Sequence, residues 1–552
     1  MMPSDNTKNT KPTRKPAGSK SRRTLISPAI EILGIDESGA VLLWSNDTRR
    51  VIRLNRLRDL DRPSYAIIGG PWVKTNVQRK DMDDVQVEIG LRARDKPITN
   101  SRVRDQGIWP HGNGILVVSG NQAAVLHRPD IRNQGTIVRI PTPLHDGHIL
   151  MLDDAKQWCD PTALINRAAS ISVHEACAIY EQVSAIVSRW KFEDARDREV
   201  VTSLVFATVI QAVFGFRPHV WLTGQTNTGK TALEDTLHRL FPWSGKYGNE
   251  TTEAALRQAI GHTCLPVYLD EFECWPGRTD VIKLLRGSTR GAELIKGTPA
   301  GTPMHFGLNH MVWVASIETG QLRAADRNRF IFIRLGTPEV LTLPPDKQLN
   351  ALGLEVTAVS LAVGAGARLL AAELGRLEID GHRGRLVEAY AVPAAVYAAI
   401  HGLTAEDATK HLEDVLRGRA ELEVHQEESD ERQLLEDIMA AKIHTADNND
   451  LTSTGYIPYR DLTVSQMIQD GTCGRDLEAN GIRMLDEATI FINDRQVRQG
   501  LLKTTHWARL NIRDILLRLP GACASRRWLA GRNIRGIVVP IDDDDPAVPE
   551  EE

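Results

Sequence analysis

A chain of 552 residues is too long for one ordinary core, and at roughly 100–200 residues per domain it implies three or four units. Its 42% apolar and 25% charged composition is that of a globular protein and excludes a wholly disordered chain. The formal net charge of −4 offers no global attraction for a polyanion, so a nucleic-acid surface has to be sought in local clusters. The six cysteines, Cys159, Cys177, Cys264, Cys274, Cys473 and Cys523, form no C-x-x-C pair or zinc spacing and read as reduced thiols of a cytoplasmic protein. The apolar stretch 200–216 is shorter than the roughly 20 residues that span a bilayer. It also contains Thr202, Ser203, Thr208 and Gln211, so it reads as a buried helix and no membrane partner is expected.

In chain order, residues 1–27 mix Lys and Arg with Pro, Ser, Thr and Gly, a basic arm with nothing to bury and no apolar h-region of a secretory signal. Residues 28–150 alternate in short apolar runs between Gly, Pro, Asn and Asp, which predicts a β-rich N-terminal domain. Across 151–215 the period lengthens toward 3.6, with Ala176, Ile179, Val183 and Ile186 on one helical face. Residues 216–340 carry the motifs taken up next. Residues 341–430 are again helical and end in an acidic linker, 431–541 form a last domain, and 542–552 are an acidic tail.

Val220, Trp221 and Leu222 read as a short buried strand. Gly224, Gln225, Thr226, Asn227, Thr228, Gly229, Lys230 and Thr231 follow, and a helical pattern begins at Ala232. This is the strand, loop and helix context required of G-x-x-x-x-G-K-[ST]. Glycines let successive backbone N–H groups turn toward a phosphate, and the helix N-terminus adds its dipole. The spacing assigns Lys230 to the β- and γ-phosphates of ATP and Thr231 to Mg²⁺. The apolar run 265–269 then ends in Asp270 and Glu271, the first suited to the Mg²⁺ shell and the second to orienting or deprotonating an attacking water. A third apolar strand ends in Ser316, a candidate nucleotide sensor or a buried strand cap. Arg327 and Arg329 precede a fourth strand that starts at Phe330, where arginines suit either surface ion pairs or a finger inserted into a neighbouring subunit's site.

This series resembles the helicase module of phage and integrated-element primase-helicases, akin to superfamily 3 helicases. The matching words are RPHVWLTG at 217–224, the 224–231 loop, TEAALRQ at 252–258, LPVYLDE at 265–271, LRGS at 285–288, IKGT at 295–298 and ADRNRF at 325–330. The similarity extends to GIWP at 107–110, THWA at 505–508 and LPGA at 519–522, covering most of 30–541. It implies a ring, usually a hexamer, around single-stranded or forked DNA. Arg329 is then the finger and Arg286 the second choice, and a DNA-gripping hairpin falls at 293–306, where Lys296 and His305 either face the channel or are incidental charges on a solvent hairpin. A separate primase or replication protein becomes a candidate partner. Two departures stand out. No primase portion precedes the loop, so priming is not transferred, and Ser316 stands where many members of the family carry Asn.

Within 495–535, Arg509, Arg513, Arg526, Arg527 and further basic residues are opposed by Asp514 alone, the charge footprint of phosphate contacts. Trp507 and Trp528 are candidates for stacking on bases, although core positions are commoner for tryptophan. The expectation is an α/β protein: a P-loop NTPase core (AAA+-like, superfamily 3 type) with a β-rich N-terminal domain, helical flanking segments and a C-terminal winged-helix-like domain. The expected function is an ATP-dependent DNA helicase or translocase using ATP and Mg²⁺. The alternative is a DNA-binding ATPase switch that does not unwind, such as an initiator, loader or defence ATPase.

Overall fold

The computed structural model describes residues 24–541 apart from 100–101, 249, 274, 276, 292, 297–303, 318–321, 323, 339–341, 380–381, 383, 418–429, 447–458, 471–473 and 487. Most of the expected basic arm, the acidic tail, most of the acidic linker and the turn of the 293–306 hairpin therefore lie outside the described residues. The protein is mixed α/β with several sheets. It divides into two compact units, the first formed by Met1–Glu318, Ile331–Leu377 and Arg383–Leu412, the second by Thr319–Phe330, Glu378–His382 and Glu413–Glu552.

The first unit is built on a six-stranded sheet in the order Lys191–Phe192, Phe330–Gly336, His219–Thr223, Val312–Ala315, Val267–Leu269, Gly245–Tyr247. Four neighbouring strands are parallel, with Val220 opposite Trp313, Tyr268 opposite Trp313 and Lys246 opposite Tyr268. Strands buried on both faces need continuous apolar runs, and His219–Thr223, Val267–Leu269 and Val312–Ala315 are buried at every position. The two outer strands were not legible in the sequence: Gly245–Tyr247 and Lys191–Phe192 are three and two residues long and lack an apolar run.

Residues 28–150 contain the expected strands but also two helices, Arg62–Asn76 and Met82–Arg94. The first conceals its period because Gly70 adopts φ +68° ahead of Pro71 and kinks it. This segment shares its core with the chain segments that lead into the central sheet. Trp109, Leu116 and Val125 pack in one cluster with Ala212 and Cys264, Gly107 bridges Cys264, and Asp105 N–H donates to His262 O at 3.0 Å. Helix Val173–Val187 buries Ala176, Ile179 and Val183 but leaves Ile186, expected on the same face, half-buried, and starts from a reciprocal cap between Ser172 and Glu175.

Helix Asp346–Leu374 is long and apolar enough to cross a membrane by length and composition, with mean hydropathy 1.5 over its most apolar window. Two-thirds of that window (67%) is buried inside the protein, the behaviour of a core helix. Small residues let it approach its neighbours: a Cβ on Gly353 would overlap the carbonyl oxygen of Leu240, at the end of helix Lys230–Leu240. Helix propensity alone favours Gly353→Ala by about 1 kcal/mol. The contact reverses the sign, and Gly353→Ala is expected to destabilise the first unit by about 1–3 kcal/mol, read as a lower urea midpoint; a raised midpoint would contradict this packing.

Candidate functional site

The parallel register brings the ends of His219–Thr223, Val312–Ala315 and Val267–Leu269 to one edge of the sheet, since Leu222 pairs with Ala315 and Leu269 with Val314. At that edge the chain turns through Gly224–Thr231 into helix Lys230–Leu240. Gly224 (φ +145°), Asn227 (φ +66°) and Gly229 (φ +84°) hold backbone conformations that favour glycine or asparagine. Space is equally tight: a Cβ on Gly224 would meet the Leu335 carbonyl, and one on Gly229 would lie 2.9 Å from Trp190 Nε1. That indole donates to Gly229 O at 2.9 Å, and the buried Thr228 hydroxyl donates to Gln225 O at 2.9 Å.

Lys230 folds into the loop, its Nζ donating to Gly224 O at 2.7 Å and Gln225 O at 2.9 Å. Burial lowers its pKa, while the carboxylates of Glu273 and Asp270 oppose the shift. Thr231 Oγ1 donates to Asp270 Oδ1 at 3.1 Å, across the intervening strand Val312–Ala315. The same Asp270 oxygen accepts from Glu271 N–H at 2.9 Å. Glu271 is exposed with φ +53°, a conformation costing a non-glycine residue roughly 1–2 kcal/mol. Thr231 and Asp270 are thus in direct contact, with the Glu271 backbone bonded to the same carboxylate.

Several residues of this neighbourhood carried no sequence signal. Lys246, on the edge strand, pairs with Asp270 at 3.2 Å and with Asp235 at 2.5 Å. Burial alone would depress it, but the hydrogen bond to Asp235 and the charge of Asp270 outweigh that and raise its pKa. Glu273 accepts from Ile317 N–H at 2.7 Å. Arg278 is 6% exposed, with its guanidinium 4.9 Å from the ring centre of Trp221. Glu234 lies on the inner face of the helix, fully buried, with neither carboxylate oxygen hydrogen-bonded. Burial, then the charge of Asp270, raise its pKa well above the ordinary 4.5.

Ser316 is buried and accepts from Trp221 Nε1 at 2.8 Å, while its N–H donates to Leu222 O at 3.0 Å. Arg286 is half-buried in the last turn of helix Arg278–Ser288, where the C-terminal carbonyls favour a cation. Arg329 belongs to the second unit, where its N–H donates to Asp326 O at 3.0 Å. Strands Glu293–Lys296 and Met304–Gly307 pair as an antiparallel hairpin. Lys296 stands opposite Met304 and His305 opposite Ile295, one register step apart. The side chains of Lys296 and His305 lie outside the described residues, and with them the expectation that both face a channel.

In the second unit, Ile482–Met484, Thr489–Ile492, Arg532–Pro540 and Cys523–Leu529 form an antiparallel sheet in that order. Trp507 is 2% exposed and donates to Asp437 at 2.6 Å, a core tryptophan. Trp528 is 61% exposed, against the commoner core placement. It sits near the Ala530–Gly531 turn of the last hairpin, where φ is +46° and +78°. Arg526 lies opposite Arg535 and Trp528 opposite Asn533, so these four share a face. Arg527 is exposed on the other face, Arg513 pairs with Asp494 at 3.6 Å, and the Arg509 side chain lies outside the described residues.

No family model and no curated protein matches the chain. Among solved structures, the A-form apo structure of the NrS-1 C-terminal region is similar at 14% identity, with TM-score 0.37 and coverage of 93% of this chain and 96% of that one. A second apo structure of that region, residues 305–718, gives 14% identity, TM-score 0.36 and the same coverage.

The buried acid generates a pH prediction. A carboxyl whose folded pKa lies above its unfolded value contributes full stability below the unfolded pKa and loses it as pH rises through the folded one. For Glu234 that loss begins near pH 4.5, at up to about 1.4 kcal/mol per pH unit. Glu234→Gln is therefore expected to gain stability over the native chain as pH rises from 5 to 8. Denaturant midpoints measured at both pH values check this, and parallel curves would contradict it.

Proposed function

We propose that the first unit is a P-loop ATPase of AAA+-like, superfamily 3 type, and that the chain is an ATP-dependent DNA helicase or translocase of a phage or mobile-element kind. The observation carrying this reading is the meeting of Thr231 and Asp270 at 3.1 Å, with Lys230 held inside a loop whose glycines leave no room for side chains. The residues fit MgATP. Loop N–H groups and Lys230 would receive the phosphates, and Thr231 and Asp270 would hold Mg²⁺. When bound, Mg²⁺ neutralises the charge that develops on the transferred phosphoryl group.

To receive a phosphate, Lys230 Nζ must leave the carbonyls of Gly224 and Gln225, exchanging two neutral acceptors for an anion. Glu271 takes the role of orienting the attacking water and accepting its proton, and its strained backbone is the kind retained where a side chain must be aimed. Arg329 serves as a finger supplied to a neighbouring copy in a ring, expected to be a hexamer. The exposed face of Arg526, Trp528 and Arg535, with a winged-helix-like domain behind it, supports contact with single-stranded or forked DNA. There the arginines would neutralise phosphates and the indole would stack on a base.

Lys230→Ala is expected to lower ATP turnover by at least about 100-fold; unchanged turnover would remove the assignment. Glu271→Gln should bind ATP but turn over at least about 100-fold more slowly, whereas Glu273→Gln should lose less. An exchange of these two results would move the base to Glu273. Arg329→Ala should also bind ATP and be slowed up to about 1000-fold, and mixing it with Glu271→Gln protein should restore part of the activity. Single-stranded DNA should stimulate turnover, and tailed duplexes should be displaced. Stimulation without displacement would select the non-unwinding switch. Trp528→Ala should weaken single-stranded DNA binding by about 1–3 kcal/mol, measured by fluorescence anisotropy.

A further inference from the structure

A second constellation lies in the N-terminal part of the first unit, where two tight hairpin turns meet. One joins Gly107–His111 to Gly114–Ser119, with His111 paired to Gly114, and the other joins Leu144–His145 to His148–Leu150, with His145 paired to His148. Both are two-residue turns with positive φ: Gly112 at +52° in the first, Asp146 at +45° and Gly147 at +74° in the second. The turns place His111, His145 and Asp146 with their ligating atoms within 4.8 Å of one another. His111 Nε2 lies 3.4 Å from His145 Nε2 and 3.3 Å from Asp146 Oδ2. The two imidazoles stack with ring centres 4.8 Å apart.

Hydrogen bonding explains these separations poorly. Both exceed the usual 2.9–3.0 Å or so of N–H bonds, and the single Nε2 of His111 faces two partners. If it donates to Asp146, it has no lone pair to accept from His145. Metal coordination accounts for these two separations at once, and the third, between His145 and Asp146, lies within 4.8 Å, to be closed by rotation of the exposed Asp146 side chain. Four ligands at about 2.0–2.1 Å around a tetrahedral zinc ion stand about 3.3–3.4 Å from each other. We propose that His111, His145 and Asp146 form a binding site for a divalent transition-metal ion of the zinc class, with water in the fourth position. Two imidazoles and one carboxylate select such an ion over Mg²⁺, which prefers oxygen ligands in an octahedron. The open position follows from exposure, because the Asp146 side chain is 66% accessible whereas that of His111 is 17%.

One neighbouring feature agrees. His148, paired with His145 across the turn, has a buried Nδ1 without a hydrogen bond, and Asp146 and His111 are among its electrostatic neighbours. The ion would tie the second hairpin to the sheet that runs from Gly107 to Ile140.

The test uses the full chain, stripped with a chelator and titrated with Zn²⁺ or Co²⁺ in excess Mg²⁺ to occupy oxygen sites. One equivalent is expected, with visible Co²⁺ bands of four-coordinate intensity. His111→Ala and His145→Ala should each weaken Zn²⁺ at least about 100-fold, beyond the roughly 10–100-fold loss that removal of an outer-shell partner brings. Asp146→Asn, which preserves a turn-forming residue, should weaken it about tenfold or more, with an unchanged circular dichroism spectrum. In the native chain, Zn²⁺ should protect His111 and His145 from carbethoxylation, mapped by mass spectrometry. Sub-stoichiometric binding, affinity unchanged in the folded Asp146→Asn chain, or absence of protection at the two histidines would each overturn the proposal.

Discussion

The structure depends on the register of one central strand. Trp313 of Val312–Ala315 stands opposite Val220 on one side and Tyr268 on the other, so the glycine-loop strand and the acid strand are separated by two interstrand steps, about 10 Å. The first turn of helix Lys230–Leu240, starting from the loop, crosses that gap through Thr231, which reaches Asp270. A register slip of one residue would exchange the faces of the strand. It would also move Ser316 off Leu222, whose carbonyl accepts from the Ser316 N–H. The slip is opposed by close packing, since Trp221, Tyr268 and Trp313 are all fully buried and exchanging their faces would need cavities that do not exist.

Charge around this edge is arranged economically. Four acids, Glu234, Asp235, Asp270 and Glu273, lie near two lysines. If all four were ionised in a partly dehydrated space, their repulsion would oppose the approach of a polyphosphate. Burial favours the protonated form of Glu234, Lys246 holds Asp235 and Asp270 together, and Lys230 occupies the loop. The buried Glu234 and Tyr268, whose hydroxyl also lacks a hydrogen bond, together form a polar inclusion in an apolar layer. Such inclusions cost stability, and this one sits directly beneath the strand end that bears Asp270.

What could be read from the sequence was what local chemistry fixes. The loop needs its glycines at given spacings and the acid strand needs an uninterrupted apolar run, so both declared themselves, as did the face of helix Val173–Val187. What escaped was decided by long-range contact. Gly245–Tyr247 is a strand only because Val267–Leu269 offers it an edge, and Lys246 matters only because that pairing sets it beside Asp270. Trp507 and Trp528 are indistinguishable by residue type and local charge, yet one fills a core beside Asp437 and the other stands in solvent at a hairpin tip.

The N-terminal segment also changes meaning once its contacts are known. As a sequence it is a β-rich domain of no evident chemistry preceding the motifs. In the fold, strand Gly107–His111 is bonded at one end to the chain that leads into the acid strand, through the bridge from Gly107 to Cys264 and the hydrogen bond from Cys264 N–H to Gln106 O at 2.9 Å. Gly107 is required there, because a Cβ would lie 2.8–3.0 Å from the Cys264 backbone. Only two residues separate Cys264 from Val267. A strand cannot lengthen or shorten without breaking its ladder, so a displacement of the acid strand along its axis is passed to Gly107–His111 and to the sheet it opens. The segment therefore belongs to the same mechanical body as the acids, and its far end, at His111, is where a ligand joining the two hairpins would stiffen that body most directly.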